Sequence, residues 1–395
     1  MNESTKNGVL TSLARLLNDN KAEIIDANNL DTAACPTDDP VILDRLKVDE
    51  EKVDKMIASV CEVAASPDPL IAPISSHIRE DGLRIENRKV PFGTILIIYE
   101  ARPDVSIEAS AIALKAGNKI LLKGGKEARH TNLFLAGLWL RALAENSADS
   151  SYVQYLDISR EETQSLISGK AEKFDLVIPR GGDALIEFVL SNSIAPVIVS
   201  GRGNNFLYID SKADFEMAIK IALNGKQRLS VCNALDKILV NGSLPDLNEK
   251  VTRLIAALHD HGIEVLGDDE IAEIADGISL CPDEEIWYEE FLSAKIVIGI
   301  VSSTDEAIET INEYSGGHSA AIITSDQETA DQFLNEVDCA VVYHNASTRF
   351  TDGGQLGLGA EIAISTQKLH FRGPLGAEHL LTNKWFVYGD GQVRK

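Results

Sequence analysis

One thiol stands where a nucleophile would sit. Cys232 lies in Ser230-Val231-Cys232-Asn233-Ala234, a polar turn between an amphipathic run and a short apolar one. The preceding run, Ala213 to Gly225, spaces Phe215, Ala218, Ile219, Ala222 and Leu223 three and four apart, the pattern of one helix face, and Gly225 can end it. The following run, Lys237 to Val240, reads as a strand. A connector anchored at both ends by packed elements suits a reactive side chain. Lys226 and Arg228 arrive just before the thiol, and cations near a partly exposed cysteine favour the thiolate. A free cysteine can equally be a small buried hydrophobe.

Two strand-Gly-Gly-helix junctions suggest a phosphate-bearing ligand. Lys123-Gly124-Gly125-Lys126 follows the strand Lys119 to Leu122, and Arg180-Gly181-Gly182 follows the strand Phe174 to Ile178. Glycine lets backbone approach a ligand, and the unpaired N–H groups of a helix start favour negative charge. Neither junction is a GxGxxG or Walker sequence, so plain tight turns are also compatible. A third connector, Ser315-Gly316-Gly317-His318-Ser319, could line a site, or His318 could be a hydrogen-bonded loop residue.

The elements that must hold these groups are legible from periodicity. To about Ala65 the chain reads as packed helices, with Leu10, Leu13, Leu16 and Leu17 on one face and Val53, Met56, Ile57 and Val60 on another. A Pro-containing loop, Ser66 to Pro73, is expected next. Leu83 to Ile98 then alternates as a hairpin turning at Asn87-Arg88-Lys89. From Gly93 the pattern is strand, turn, helix, repeated, with further strands at Tyr152 to Leu156, Val197 to Val199 and Phe206 to Ile209. Ser159 and Glu162 have capping-box spacing. Such alternation builds a parallel sheet covered on both faces, a nucleotide-binding architecture by analogy. After Cys232 a second alternating unit begins, and the tail from Arg372 reads as a terminal β-ribbon seeking a partner sheet.

Composition narrows the function classes. At 395 residues, 44% of them hydrophobic, the chain has material for two or three domains. A formal charge of -24 argues against a nucleic-acid surface. Met1 to Leu10 is polar and no apolar run is long enough to span a bilayer, so a soluble, unprocessed, cytoplasmic protein is expected. Five scattered cysteines without a CxxC pair fit a reducing compartment and no metal site.

Several longer runs, in order along nearly the whole chain, resemble one family. They are Tyr99 to Val105, Lys115 to Asn118, Lys123 to Ala128, Ser230 to Ala234, Gly317 to Ser319, Gly357 to Ile362 through Arg372 to Pro374, and Gly389 to Arg394. The pattern is similar to the gamma-glutamyl phosphate reductases (glutamate-5-semialdehyde dehydrogenases) of the aldehyde dehydrogenase superfamily. The resemblance implies an α/β, aldehyde dehydrogenase-like fold: two doubly wound α/β domains plus a β-ribbon oligomerisation element. Residues 1–227 would bind the cofactor, 228–371 would carry catalysis, and 372–395 with the hairpin 83–90 would form the ribbon of a homo-oligomer.

It also implies roles. Cys232 would attack L-glutamyl 5-phosphate to give a thioester, with backbone N–H groups around Cys232 and Asn233 stabilising the oxyanion. NADPH would be held by Lys123, Gly124, Gly125, Arg180, Gly181 and Gly182, with Glu290 on the nicotinamide ribose. Glutamate 5-semialdehyde and phosphate would be the products, in proline biosynthesis, and a glutamate 5-kinase handing over the labile acyl phosphate is a candidate partner. On so acidic a chain an anionic substrate needs a locally basic site, for which Arg102, Lys226, Arg228 and Arg372 are candidates, with His318 beside them. Ser200 to Asn205 lacks the water-activating glutamate of hydrolytic relatives, and Ala101 replaces an oxyanion asparagine. The family pattern has Cys-His at Asn205-Phe206, proline at Leu229 and an acidic residue at Ala320, and Asn224 to Arg228 is one residue short. Another acylating aldehyde dehydrogenase, or a silent relative kept as a binding protein, remains open at this stage.

Overall fold

The computed structural model describes residues 1–170 and 173–394. They form two units: Met1–Ser200 with Gly357–Ala363 and Leu375–Lys395, and Gly201–Leu356 with Ile364–Pro374.

In the first unit the expected helices are Glu3–Asp19, Lys21–Ala34, Pro40–Leu46 and Glu50–Ala65. Asn2 and Asp49 start two of them by accepting the backbone N–H groups of Thr5 and Lys52. Strand β1 (Pro73–Ile78) and β2 (Arg84–Pro91) follow, then β3 (Thr94–Tyr99), β4 (Lys119–Gly124), β5 (Val153–Tyr155) and β6 (Leu176–Arg180). The sheet order is β5-β4-β3-β6, parallel throughout. Strand β3 shows why its run is unbroken apolar sequence. Ile95, Ile97 and Tyr99 enter the core shared with the N-terminal helices, while Leu96 and Ile98 enter a second core with Leu166, Ile167 and Val189. The capping box at Ser159 and Glu162 is present.

The ribbon differs from expectation. Asn87, Arg88 and Lys89 lie inside β2, and the turn is at Arg79–Leu83, where Gly82 takes φ +86°. Strand β1 was hidden because it is exposed along its whole length and so has no alternation to read. The third ribbon strand, Leu381–Tyr388, pairs antiparallel with β2. Arg84 lies 4.0 Å over the Tyr388 ring and Arg88 4.7 Å over Phe386. Val197–Val199 forms no strand, only a bridge from Val197 to Val177.

The second unit contains β7 (Asn205–Ile209), β8 (Leu235–Asn241), β9 (Glu264–Gly267), β10 (Ser279–Leu280), β11 (Lys295–Val301), β12 (Ser319–Ile323) and β13 (Val341–His344). Their order is β10-β9-β11-β8-β7-β12-β13, again all parallel. Two cores flank it: Leu207, Ile209, Ile238 and Val240 face one side, Phe206, Tyr208 and Leu239 the other. The unit boundary therefore falls at 200/201, not 227/228, because β7 hydrogen-bonds to β8 and β12 and carries the helix Phe215–Gly225 with it. Likewise residues 375–394 belong to the first unit and do not stand apart. Among the described residues no helix is long and apolar enough to cross a membrane.

Candidate active site

Cys232 sits, half-buried, in the turn that leads into β8. Asn205 and Leu235, the first residues of β7 and β8, are level in register, and Ala320, second in β12, is level with Phe206, second in β7. The thiol, Asn205 and His318 thus share the edge at which these parallel strands begin. Gly203 packs against the thiol's own backbone. A Cβ there would lie 1.8 Å from the Cys232 carbonyl oxygen, so only glycine permits the approach. Among Ser200 to Asn205, the stretch that touches the turn, there is no carboxylate.

Two asparagines hold the turn. Asn205 Nδ2 donates to the carbonyls of Gly203 (2.7 Å), Cys232 (2.7 Å) and Ala234 (2.6 Å), while its Oδ1 accepts from Ser319 Oγ at 2.6 Å and lies 2.9 Å from His318 Nδ1. Asn233 turns the other way. Its Nδ2 donates to the carbonyls of Arg349 and Thr351, its Oδ1 accepts from Arg349 Nη1, and its own carbonyl accepts from Thr348 Oγ1. The Asn233 side chain is thus engaged in holding the turn against the 348–351 segment.

The basic approach is rearranged relative to expectation. Lys226 is withdrawn from any substrate: its ammonium is fully buried 2.5 Å from Asp236, which is itself 2% exposed. Helix geometry explains this, since Lys226 caps the helix Phe215–Gly225 and follows that buried end inward. Arg228 is exposed. A cation not anticipated from sequence, Arg349, in the turn Thr348–Phe350, joins it. Its pKa is pulled down by burial first and by the like charge of Arg228 next, while the charge of Cys232 opposes the drop. Arg349 thus lies within electrostatic reach of both Arg228 and Cys232. Arg372 is clamped by Asp338, bonding its Oδ1 and its carbonyl at 2.8 Å each, beside Gly317. His318 is entirely buried and hydrogen-bonded, and burial holds its pKa down at about 4.

Glu290 is half-buried on a segment gripped from both flanks. Lys237, fully buried on β8, donates to the Glu289 carbonyl (2.7 Å) and to Asn204 Oδ1 (2.9 Å) and lies 4.0 Å from the Phe291 ring centroid. Asp236 accepts the Phe291 N–H at 3.1 Å. Asn204 continues the network to the carbonyls of Trp287 and Tyr314.

In the first unit both Gly-Gly junctions form. At Gly181-Gly182 the helix Asp183–Asn192 begins, and a Cβ on Gly182 would meet open space. Its N–H is not free, however, because Glu100 accepts it at 2.9 Å. At Gly124-Gly125, Glu127 lies over Gly125 and accepts the N–H of Ala101, a residue in the left-handed region at φ 44°. Lys123, half-buried, donates to the Gly124 carbonyl at 2.6 Å, and burial lowers its pKa against the pull of Glu127. Arg180 ends β6, and Arg102 is half-buried in the loop after β3.

The model of the aldehyde dehydrogenase family matches residues 1–264 and 278–359. A gamma-glutamyl phosphate reductase of Clostridium botulinum is 41% identical over 394 residues, 99% of this chain and 94% of that one. The gamma-glutamyl phosphate reductase 2 of Bacillus licheniformis is 42% identical over 397 residues, 100% and 93% of the two chains. The crystal structure of the Thermotoga maritima gamma-glutamyl phosphate reductase superposes with a TM-score of 0.93 at 39% identity, covering 100% of this chain and 95% of the other. The chain belongs to the gamma-glutamyl phosphate reductases. It shares the aldehyde dehydrogenase fold, with helices packed on parallel sheets.

Within that family, the groups missed from sequence are the ones whose partners lie far along the chain. Arg349 sits 117 positions after Cys232, and Lys237 reads as one more strand residue until β11 and the 289–291 segment close over it. The one available signal was a charged residue inside a run destined for burial, which demands a partner.

Proposed function

We propose that the chain reduces L-glutamyl 5-phosphate to L-glutamate 5-semialdehyde, releasing phosphate, through a thioester on Cys232 and with NADPH. The observation that carries this reading is the nucleophile turn itself: a half-buried thiol pinned between Asn205 and Gly203, within electrostatic reach of Arg349, with no carboxylate on the adjoining 200–205 stretch to activate water. Cys232 Sγ forms the bond to the acyl carbon, and the bond to the phosphate oxygen breaks with its electron pair leaving on phosphate. The developing oxyanion meets backbone N–H groups at Cys232 and Asn233. Arg228 and Arg349 offset the charge of substrate and leaving group, a role stronger in a water-poor site than in bulk.

A reduced nicotinamide, when bound, would supply the hydride to the thioester carbon, after which the C–S bond would break with its electron pair returning to Cys232 Sγ and free the aldehyde. The residues present fit such a cofactor. Gly182 opens onto empty space at a helix N-terminus, and Lys123 offers a half-buried cation suited to a 2'-phosphate. Gly124, Gly125, Arg180 and Gly181 would complete the cradle, and Glu290 would take the nicotinamide ribose. Glu100 already holds the Gly182 N–H, so a pyrophosphate would share that terminus with a carboxylate. Homo-oligomerisation through the ribbon β1, β2 and Leu381–Tyr388, cytoplasmic residence and transfer from a glutamate 5-kinase complete the reading.

The test runs the reaction backwards. Glutamate 5-semialdehyde, NADP and phosphate are supplied to the wild type and to Cys232→Ala, and NADPH absorbance is followed. Phosphate-dependent reduction by the wild type alone is expected. Equal activity in both proteins would remove Cys232 as nucleophile, and activity in neither would remove the substrate assignment.

A further inference from the structure

Taking Cys232 as the nucleophile proposed above, we infer that Asn205 is a positioning residue that serves two groups at once: it anchors the nucleophile turn and fixes His318 in the Nδ1–H tautomer. The amide is 0% exposed, and its orientation is dictated by its neighbours. Three backbone carbonyls, of Gly203, Cys232 and Ala234, lie on one side, and carbonyls only accept, so the NH₂ group must face them. Oδ1 is left facing Ser319 and His318.

That orientation settles the imidazole. Ser319 has one hydroxyl proton, and it goes to Asn205 Oδ1 at 2.6 Å. His318 Nδ1 lies 2.9 Å from the same oxygen and 2.8 Å from Ser319 Oγ, both of which can only accept from it. Nδ1 therefore carries the hydrogen and Nε2 is the bare lone pair. Nε2 is buried with no hydrogen-bond partner among the described residues, so the ring presents one unspent acceptor for an N–H or O–H donor. Burial keeps the ring neutral at physiological pH, which preserves that acceptor.

The chain departs here from the pattern that the resemblance described above implies. The family pattern it resembles has cysteine at position 205, and a thiol is a weak donor that cannot serve three carbonyls. The neighbouring departures follow suit. Phe206 and Ala320, where the pattern has histidine and an acid, are level across β7 and β12 and both fully buried in an apolar cluster. The polar link between these strands lies at Asn205 with Ser319 and His318.

The experiment compares wild type, Asn205→Ala and the isosteric Asn205→Asp. The readouts are steady-state turnover with semialdehyde, NADP and phosphate, and solid-state ¹⁵N NMR of histidine-labelled protein, with His318 assigned by its loss in His318→Gln. Asn205→Ala should lower kcat about 10- to 100-fold, with KM for phosphate within about threefold, the signature of a misplaced rather than missing group. It should also replace the single His318 tautomer by a mixture. Asn205→Asp keeps acceptors for Ser319 and His318 but loses the amide donors, so it should lower kcat comparably while retaining Nδ1–H. Wild-type kcat in either variant, or an unchanged tautomer in Asn205→Ala, overturns the inference. Reactivity of buried Cys339 toward a thiol reagent reports folding: exposure of Cys339 in both variants would make Asn205 a residue of the fold and overturn a positioning role. A wrong substrate assignment shows itself separately, as a wild type without turnover, and the tautomer comparison still decides.

Discussion

Lys237 offers the sharpest physical test of the second unit. Its ammonium is fully buried, and burial, the largest influence, pulls its pKa from 10.5 to about 8 against the attraction of Asp236 and Glu289, with Lys226 adding to the fall. Above about 8 the folded protein has released a proton that the unfolded chain keeps until about 10.5. The unfolded state then binds more protons, so this residue's contribution to stability rises with pH across that window. The difference corresponds to about 3 kcal/mol at ~1.4 kcal/mol per pH unit. Below the window both states are protonated and the full cost of the buried charge is carried. Lys237→Met fills similar volume without a titrating group. Urea unfolding of both proteins at a series of pH values isolates the effect, because the titrations of groups that do not interact with Lys237 cancel in the difference. The stability of wild type relative to Lys237→Met should climb by about 3 kcal/mol between neutral pH and the far side of the window, a shift of about 1–3 M in urea midpoint. A difference that stays flat with pH would refute the reasoning. Losing the bonds to Glu289 and Asn204 should also raise KM for NADPH more than it lowers kcat, since the 289–291 segment carries Glu290.

Other outcomes follow from single contacts. Gly203→Ala places a methyl 1.8 Å from the Cys232 carbonyl oxygen, where only backbone can yield, and should cost about 1–3 kcal/mol or more together with most of the activity, read by thermal melting and turnover. Lys226→Met leaves Asp236 as a buried unpaired carboxylate and should destabilise by about 3–5 kcal/mol without selectively raising KM for phosphate; a selective KM effect would return Lys226 to the substrate site. His318, held neutral with its pKa at about 4 instead of 6.5, should make the fold acid-sensitive. As pH falls below about 6.5 the unfolded chain takes up a proton the folded ring refuses, so about 3 kcal/mol is lost by pH ~4, a loss that His318→Gln should abolish in denaturation series. Glu100→Gln removes a negative charge from the Gly182 helix terminus and should lower KM for NADPH by up to about fivefold, as a charge near a helix end contributes about 1 kcal/mol; a raised KM would count against a pyrophosphate there.

What the sequence disclosed depended on whether a pattern was local. The β3 run, the capping box at Ser159 and the helix ending at Gly225 are all dictated by neighbours within a turn or a strand, and each is where periodicity puts it. Strand β1 failed this test because its residues are all exposed, so its hydrogen bonds to β2, not an apolar stripe, define it. The unit boundary failed for another reason. Whether β7 joins the sheet before it or the one after it depends on long-range pairing with β8 and β12, which no local spacing encodes. In the candidate site, Cys232 was singled out by its thiol and the glycine junctions by the strand-to-helix pattern around them, whereas Lys226, read as a candidate substrate contact, is paired with Asp236 ten residues later.

The departures from the family pattern make sense only in pairs, and the register supplies the pairing. A lone histidine at position 206, with Ala320 opposite it, would be a buried polar group facing a methyl, costing about 1–3 kcal/mol. A lone acid at 320 would be worse, since an unpaired buried charge is the more expensive defect. Exchanging both for Phe206 and Ala320 removes the demand, and Phe206 fills the space by stacking on Trp287 at 6.3 Å. Two apolar side chains cannot hydrogen-bond β12 to the Cys232 turn, so that contact must lie elsewhere along the same edge. Asn205, one position earlier, reaches Cys232 on one side and His318 with Ser319 on the other. Restoring histidine at 206 alone should therefore destabilise the protein, and restoring the acid at 320 with it should recover most of that loss. Additive losses in the double variant would show that the two positions are not coupled.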